Sequence, residues 1–129
     1  MTHLLPWLVA VLLFTVIMAG VLRADDTTLY RASLAAFAAG NALDAHSSWG
    51  QRELNPFAAS ADGRYGARGL SLKIGCTGGI VLMQAAIIHF LPPGNARNAA
   101  RLAFTKFNFA AAGAFGGLAV RNYVVRADR

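Results

Sequence analysis

Long apolar runs alternate with short polar segments along the whole chain. Four runs carry few or no formal charges: residues 4–22, 32–50, 70–91 and 102–120. Each is close to the length of about 20 residues that a helix needs to cross the hydrocarbon of a bilayer. We therefore predict an all-α integral membrane bundle of four transmembrane helices, which forms a single membrane domain over residues 1–129.

The first run is the strongest signal for a membrane span. Residues 4–22 are 19 consecutive uncharged residues that end before Arg23. A cleaved signal peptide is the alternative, with Ala24 at the cleavage position. Against it, the run is longer than a usual signal core and Leu22 is not the small residue expected two positions before Ala24. We expect a retained helix, and a bundle of three helices if residues 1–24 are removed.

The other three runs are less uniform. Residues 32–50 are rich in alanine, which favours a helix but is only mildly hydrophobic, so we expect neighbouring helices to shield this span. Residues 70–91 end at Pro92-Pro93-Gly94, a strong helix stop. Residues 102–120 carry Lys106 about one turn inside the run, and its aliphatic stem can reach the membrane surface.

The composition supports a membrane setting. Hydrophobic residues make up 56% of the chain and charged residues 14%, against roughly 25% charged residues in a typical soluble domain. A folded chain of this size still exposes a large share of its surface, so the composition argues against a water-soluble protein and against disorder. The single cysteine, Cys76, excludes an intrachain disulfide.

Basic residues give the chain a formal net charge of +6. They are scattered between the apolar runs, so we expect them to orient helices and contact anionic headgroups of the lipid bilayer, and not to bind nucleic acid. With four spans, one side of the membrane carries Arg52, Arg64, Arg68, Arg121, Arg126 and Arg129. The other side carries Arg23, Arg31, Arg97 and Arg101. The excess predicts a multi-pass inner-membrane protein with its C-terminus in the cytoplasm.

Small residues recur at helical spacing in three of the runs. Helices in lipid associate where small side chains let their backbones approach closely. The three pairs of this kind are Ala36 and Gly40, Gly75 and Gly79, and Gly113 and Gly117. They predict a compact bundle, and they predict self-association or association with another membrane protein.

Asp44 is the most informative polar residue, because a carboxylate inside an apolar helix is costly and usually faces a bundle interior, a partner or water. At about 100° per residue, Asn41, Asp44, Ser47 and Ser48 share one helical face. Asp44 is either a carboxylate that binds a proton or cation in a polar seam, or a structural group satisfied by the serines or by Lys73. The sequence leaves both interpretations open.

The segment that follows this helix adds further polar groups. Asn55 before Pro56 is typical of a helix N-cap followed by proline at the first helical position, which predicts a short helix or re-entrant turn. Glu53 would lie at the same membrane interface as Asp44 and Lys73. A polar cluster is therefore expected, and a salt-bridged latch between helices explains it as well as catalysis does. The full predicted cluster is Asp44, Ser47, Ser48, Glu53, Asn55 and Lys73.

One combination of residues resembles a known pattern: Asp44-x-x-Ser47-Ser48, then Glu53-x-Asn55-Pro56, then Lys73 at the start of the next apolar helix. The combination is similar to that of an uncharacterised family of small bacterial polytopic membrane proteins, a domain of unknown function. The similarity covers residues 40–75, and Arg121-Asn122-Tyr123 resembles the polar end of that family's last helix. The chain departs from the pattern in His46 and in Ser where Thr is frequent. The resemblance implies a membrane helix bundle and implies no activity.

Residues suited to catalysis or metal binding are poorly arranged. Asp44 and His46 diverge on a helix, and His89 lies toward the opposite membrane face from Glu53, so we predict no metal site. No Gly-x-Ser-x-Gly motif and no phosphate loop occurs. We expect a non-enzymatic accessory protein without a cofactor. The alternative is a proton- or cation-coupled carrier component that uses Asp44.

Overall fold

The structure, a computed structural model, describes residues 25–127, with side chains as far as Val125. In this part of the chain it contains three helices: α1 (Asp26–Ser48), α2 (Ala67–Phe90) and α3 (Asn95–Ala127). The loop of residues 49–66 joins α1 to α2 and contains two isolated antiparallel β-bridges. The all-α class therefore agrees with the sequence prediction. The predicted span 4–22 lies outside the described residues.

Helix α1 begins at a side-chain cap. The carboxylate of Asp25 accepts a hydrogen bond of 2.7 Å from the backbone N–H of Thr28, which satisfies one of the free donors of the first turn. The helix begins earlier than the predicted span 32–50 because Arg31 does not interrupt backbone hydrogen bonding. It ends before Gly50, whose φ of 74° lies in the left-handed region.

Helices α2 and α3 are joined by a tight turn. α2 ends before Pro92-Pro93, as the sequence predicts, and the guanidinium of Arg97 donates hydrogen bonds to the carbonyl of Leu91. α3 has 33 residues, and it extends beyond the predicted span 102–120 at both ends. The thickness of the bilayer sets the length of the segment that crosses it, but the helix can continue beyond the membrane at either end.

Helices α1 and α3 run parallel and form the main interface of the bundle. Their hydrogen-bonded pairs are separated by a nearly constant 74 to 77 residues, which requires the two helices to run in the same direction. α2 returns antiparallel to both and contacts each of them over a much smaller interface. It is therefore the least covered helix among the described residues.

The most deeply buried side chains of the bundle are polar, and many large apolar side chains are exposed. The largest fully buried side chains are Gln84, Asn108, Ser33 and Ser47. Large apolar side chains of α2 lie on the outside instead: Leu72, Ile74, Leu82, Met83, Ile87 and Phe90. One large apolar side chain, Phe37, is buried, and its ring packs against the partly exposed rings of Phe107 and Phe115 at centroid distances of 6.0 and 6.3 Å. This distribution is the reverse of that in a water-soluble domain.

One described helix, α2, is long and apolar enough to cross a membrane by length and composition. The predicted spans 32–50 and 102–120 lie in helices that do not reach the same apolarity. The first is rich in weakly hydrophobic alanine, and the second is interrupted by Lys106 and Asn108. The described residues thus contain one candidate membrane span, and it is mostly exposed.

Candidate functional site

Several groups of polar side chains, which we name together the polar seam, lie between the helices. α1 buries one face against α3, and that face includes Asn41, Asp44 and Ser47 together with Gly40. The partners come from both other helices. The polar seam consists of Ser33, Asn41, Asp44 and Ser47 of α1, Lys73 and Gln84 of α2, and Asn108 and Asn122 of α3.

An ion pair between Asp44 and Lys73 joins α1 to α2. The two side chains are only 13% and 19% exposed, respectively. The Lys73 ammonium also lies 4.7 Å from the ring centroid of Phe115, within the range of a cation–π contact. Because Phe115 belongs to α3, this one ammonium connects all three described helices.

A second polar contact among the three helices is a fully buried amide cluster. The Nε2 of Gln84 donates to Oδ1 of Asn108 at 2.9 Å, and Nδ2 of Asn108 donates back to Oε1 of Gln84 at 3.1 Å. The same Nδ2 donates to the hydroxyl of Ser33 at 3.0 Å. None of these three residues is among the predicted site residues. Gln84 is a strongly polar residue in an otherwise apolar stretch, and this is the same sequence feature that makes Asp44 informative.

The two predicted serines lie nearer the C-terminal end of α1. The amide of Asn122 donates to the hydroxyls of Ser47 and Ser48 at 3.2 and 3.1 Å, and Ser47 donates to the backbone carbonyl of Asp44 at 3.0 Å. Beside them, the His46 imidazole and the Tyr123 hydroxyl are 2.6 Å apart. The serines therefore bind α3 and do not neutralise the Asp44 carboxylate.

The structure places Glu53 and Asn55 in the loop, apart from the ion pair. The carboxylate of Glu53 accepts from the backbone N–H of Asn55 at 2.8 Å, and the Asn55 side chain accepts from the N–H of Phe57 at 3.0 Å. Asn55 opens a turn at residues 56–58 and not a helix. The predicted cluster is thus divided into an ion pair, a serine–Asn122 group and a loop turn.

Tyr65 connects the loop to the helices. Its ring is buried, and a Cβ added to Gly69 would lie 2.6 Å from it, so the absence of a side chain at Gly69 lets the ring pack there. Burial raises the pKa of the Tyr65 phenol, and the negative charges of Asp44 and Glu53 raise it further. The hydroxyl has no hydrogen-bond partner among the described residues.

Two mainly apolar grooves flank the Asp44–Lys73 pair. One, of about 490 Å³, lies between α2 and the pair of α1 and α3, and Tyr65 lines part of it. The other, of about 380 Å³, lies between α1 and α2. Asn41, Lys73 and Thr77 line both grooves. The Lys73 ammonium therefore lies beside two grooves whose other walls are mainly apolar.

The predicted packing residues have different environments. A Cβ added to Gly40 would lie 2.9 Å from the carbonyl oxygen of Ala112, so α1 and α3 are in close backbone contact there. Ala36 is partly buried on the same helix. Four other glycines have no described atom within 4 Å of such a Cβ: Gly75, Gly79, Gly113 and Gly117.

No group of three or more His, Cys, Asp or Glu side chains within residues 25–127 is placed to hold a metal ion. Comparison of the chain with protein-family models, with curated proteins and with solved structures finds no match.

Proposed function

We propose that this protein is a small multi-pass integral membrane protein with a non-enzymatic role, in which α2 associates with another transmembrane helix in the bilayer. The observation that carries the proposal is the inverted polarity, because the fully buried side chains are polar while the large side chains of α2 are exposed and apolar. In water this arrangement would leave a large apolar patch uncovered. In lipid the same surface is favourable, and the buried amides of Gln84 and Asn108 satisfy each other.

Helices α1 and α3 enter the proposed bundle together. Each is too polar to be a candidate span alone, but their polar side chains face each other along the polar seam. Trp49 of the loop and Val125 of α3 line one cavity, which supports placing the loop and the end of α3 on the same side of the membrane. The arginine excess favours the cytoplasm for that side.

The open face of α2 is the proposed association surface. Gly75, Gly79 and Leu82 lie at helical spacing on this face, and Leu82 is 72% exposed. Small residues on an uncovered apolar helix permit close approach of a second helix. A second copy of the chain is the simplest partner, and a larger membrane complex is the other.

Membrane insertion is tested by fractionation of the expressed full chain. We expect the protein in the membrane pellet after washing with alkaline carbonate, and its release by mild detergent. Recovery as a dissolved monomer without detergent would overturn the proposal.

Association through α2 is tested by disulfide cross-linking in native membranes. In a Cys76→Ser background, Leu82→Cys is expected to give an oxidised dimer, whereas Leu43→Cys, on the exposed side of α1, is the matched control. Adding Gly79→Leu is expected to abolish the dimer. Val81→Leu, which lies on the opposite side of α2 from Gly79 at about 100° per residue, is expected to preserve it. The proposed association fails if Leu82→Cys gives no more dimer than Leu43→Cys and forms no cross-link to another membrane protein in native membranes.

A carrier function is the second candidate, and the intramembrane ion pair between two grooves favours it. A coupled carrier needs an ionisable group that can lose its partner during transport. Asp44 would then bind a proton or cation when Lys73 moves away. Asp44→Asn is expected to abolish a pH-dependent flux in proteoliposomes while preserving the helical content, and an unchanged flux would exclude this function.

A further inference from the structure

The loop after α1 and Val125 of α3 border an open cavity that is separate from the polar seam. Its volume is about 500 Å³. Its walls are formed by Trp49, Gly50, Gln51, Arg52, Asp62, Gly63, Arg64 and Val125. Two of these residues are arginines, and both are exposed.

Arg52 and Arg64 face each other directly across an antiparallel β-bridge. The flanking hydrogen bonds run from Tyr65 N to Gln51 O at 2.8 Å and from Glu53 N to Gly63 O at 3.0 Å, which makes the arginines a non-hydrogen-bonded pair. In such a pair the two side chains leave the same face from Cα atoms only about 4.5 Å apart. Like charges at this position repel each other.

No carboxylate in the described part of the chain neutralises this pair of arginines. Neither guanidinium forms an ion pair with any carboxylate of residues 25–125. The Asp62 carboxylate accepts instead from the backbone N–H of Arg64 at 3.1 Å. An anion bound between the two guanidinium groups would convert the repulsion into attraction.

The geometry suits a phosphate group. Arg64 is held in place because its Nη1 donates to the carbonyl of Gly50 at 2.8 Å, and its remaining N–H groups stay available for an anion. Gly50 and Gly63 have φ angles of 74° and 73°, a backbone conformation that glycine adopts without strain. Two guanidinium forks can each make paired hydrogen bonds to phosphate oxygens.

The neighbouring apolar residues indicate an amphiphilic anion. Trp49 is 48% exposed and Val125 is 42% exposed, and the indole is oriented by an edge contact with Tyr65 at 6.4 Å. Tryptophan is typical of the membrane interface, and the candidate span α2 begins directly after this loop. We propose that the cavity binds the phosphate of an anionic phospholipid, with Arg52 and Arg64 on the phosphate and Trp49 beside the glycerol and upper acyl chain. The lipid source rests on the membrane insertion proposed above, but recognition of phosphate does not.

The test uses Trp49 as the reporter in the full chain purified in neutral detergent. The chain has two tryptophans, and Trp7→Phe leaves Trp49 as the single fluorophore. Short-chain phosphatidylglycerol, short-chain phosphatidylcholine and inorganic phosphate are titrated separately. We expect saturable binding of phosphatidylglycerol and much weaker binding of phosphatidylcholine. Arg52→Gln/Arg64→Gln is expected to raise the Kd about tenfold or more, because charge-assisted hydrogen bonds are lost.

Arg68→Gln/Lys106→Gln is the matched control, since it removes the same charge from exposed positions outside the cavity. It is expected to leave the Kd unchanged. Inorganic phosphate could bind as tightly as phosphatidylglycerol and lose its binding in the Arg52/Arg64 variant. That result would support a phosphate site but overturn the lipid as its ligand. Equal binding of both lipids, or an unchanged Kd in a folded Arg52/Arg64 variant, would overturn the site. Because the lipids are delivered in detergent, these results are independent of the membrane fractionation that tests the proposed function.

Discussion

Gln84 and Asn108 exchange two amide hydrogen bonds, of 2.9 and 3.1 Å, at a point where neither side chain is exposed. Together with the bond from Asn108 to the Ser33 hydroxyl, this exchange ties α1, α2 and α3 together. In a bilayer no water is present to replace these bonds. The amide cluster and the Asp44–Lys73 pair are therefore the main connections of α2, whose other contacts with the bundle are few.

Asn108→Ala should destabilise the bundle, because it leaves the buried amide of Gln84 without its partner and removes the donor to the Ser33 hydroxyl. We expect a loss of about 1–3 kcal/mol in the free energy of unfolding. Reversible unfolding in mixed detergent micelles, followed by helical circular dichroism, measures it. The matched control is Asn98→Ala on the exposed face of α3, which should change stability little. Gln84→Leu/Asn108→Leu should be less harmful than Asn108→Ala, and the reverse order would contradict the explanation.

The ion pair makes a different prediction. Removing one partner should cost more than replacing both, because a single variant leaves a mostly buried charge uncompensated. Asp44→Leu is expected to cost about 3 kcal/mol, the low end for a buried pair because the side chains keep 13% and 19% exposure. Asp44→Leu/Lys73→Met should recover most of the loss in the same unfolding assay. A double variant as unstable as the sum of the single ones would show that the two residues act independently.

The sequence predicted the helices better than it predicted their partners. Spacing along α1 placed Asn41, Asp44 and Ser47 on one face, and the structure buries that face. Helix bounds taken from charged residues were displaced, because caps and prolines end helices while arginines do not. The length of an uncharged run alone predicts four membrane spans. Only the mean hydropathy of each run distinguishes α2 from its more polar neighbours.

The composition of the site needed tertiary information. Local hydrogen bonds hold Glu53 and Asn55 to their own turn, and residue types alone do not reveal that competition. Asn108 meets Ser33, 75 residues earlier in the chain, only because α1 and α3 run parallel. The register between two helices depends on packing along their whole length, so no local pattern could predict it.

Gly40 is predicted to be sensitive to any added side chain. A Cβ at this position would lie 2.9 Å from the oxygen and 3.0 Å from the Cα of Ala112, and backbone atoms cannot move aside as a flexible side chain can. Gly40→Ala should force α1 and α3 apart and cost about 1–3 kcal/mol. Gly78→Ala is the control, since no described atom lies within 4 Å of its added Cβ. Equal stability of the two variants in detergent unfolding would refute the close contact.

The N-cap of α1 predicts a dependence of stability on pH. The hydrogen bond from Thr28 lowers the pKa of Asp25 below its ordinary value of 3.8, and the positive charge of Arg31 lowers it further. A carboxyl group whose pKa is depressed in the folded state stabilises that state above pH 3.8 and loses this contribution as the pH falls through the folded pKa. Asp25→Asn keeps a capping side chain of similar strength but has no titrating group. The melting temperature of the wild type should therefore fall relative to that of Asp25→Asn between about pH 5 and about pH 3. Parallel curves for the two proteins across that range would show that the carboxylate of Asp25 does not support the helix start.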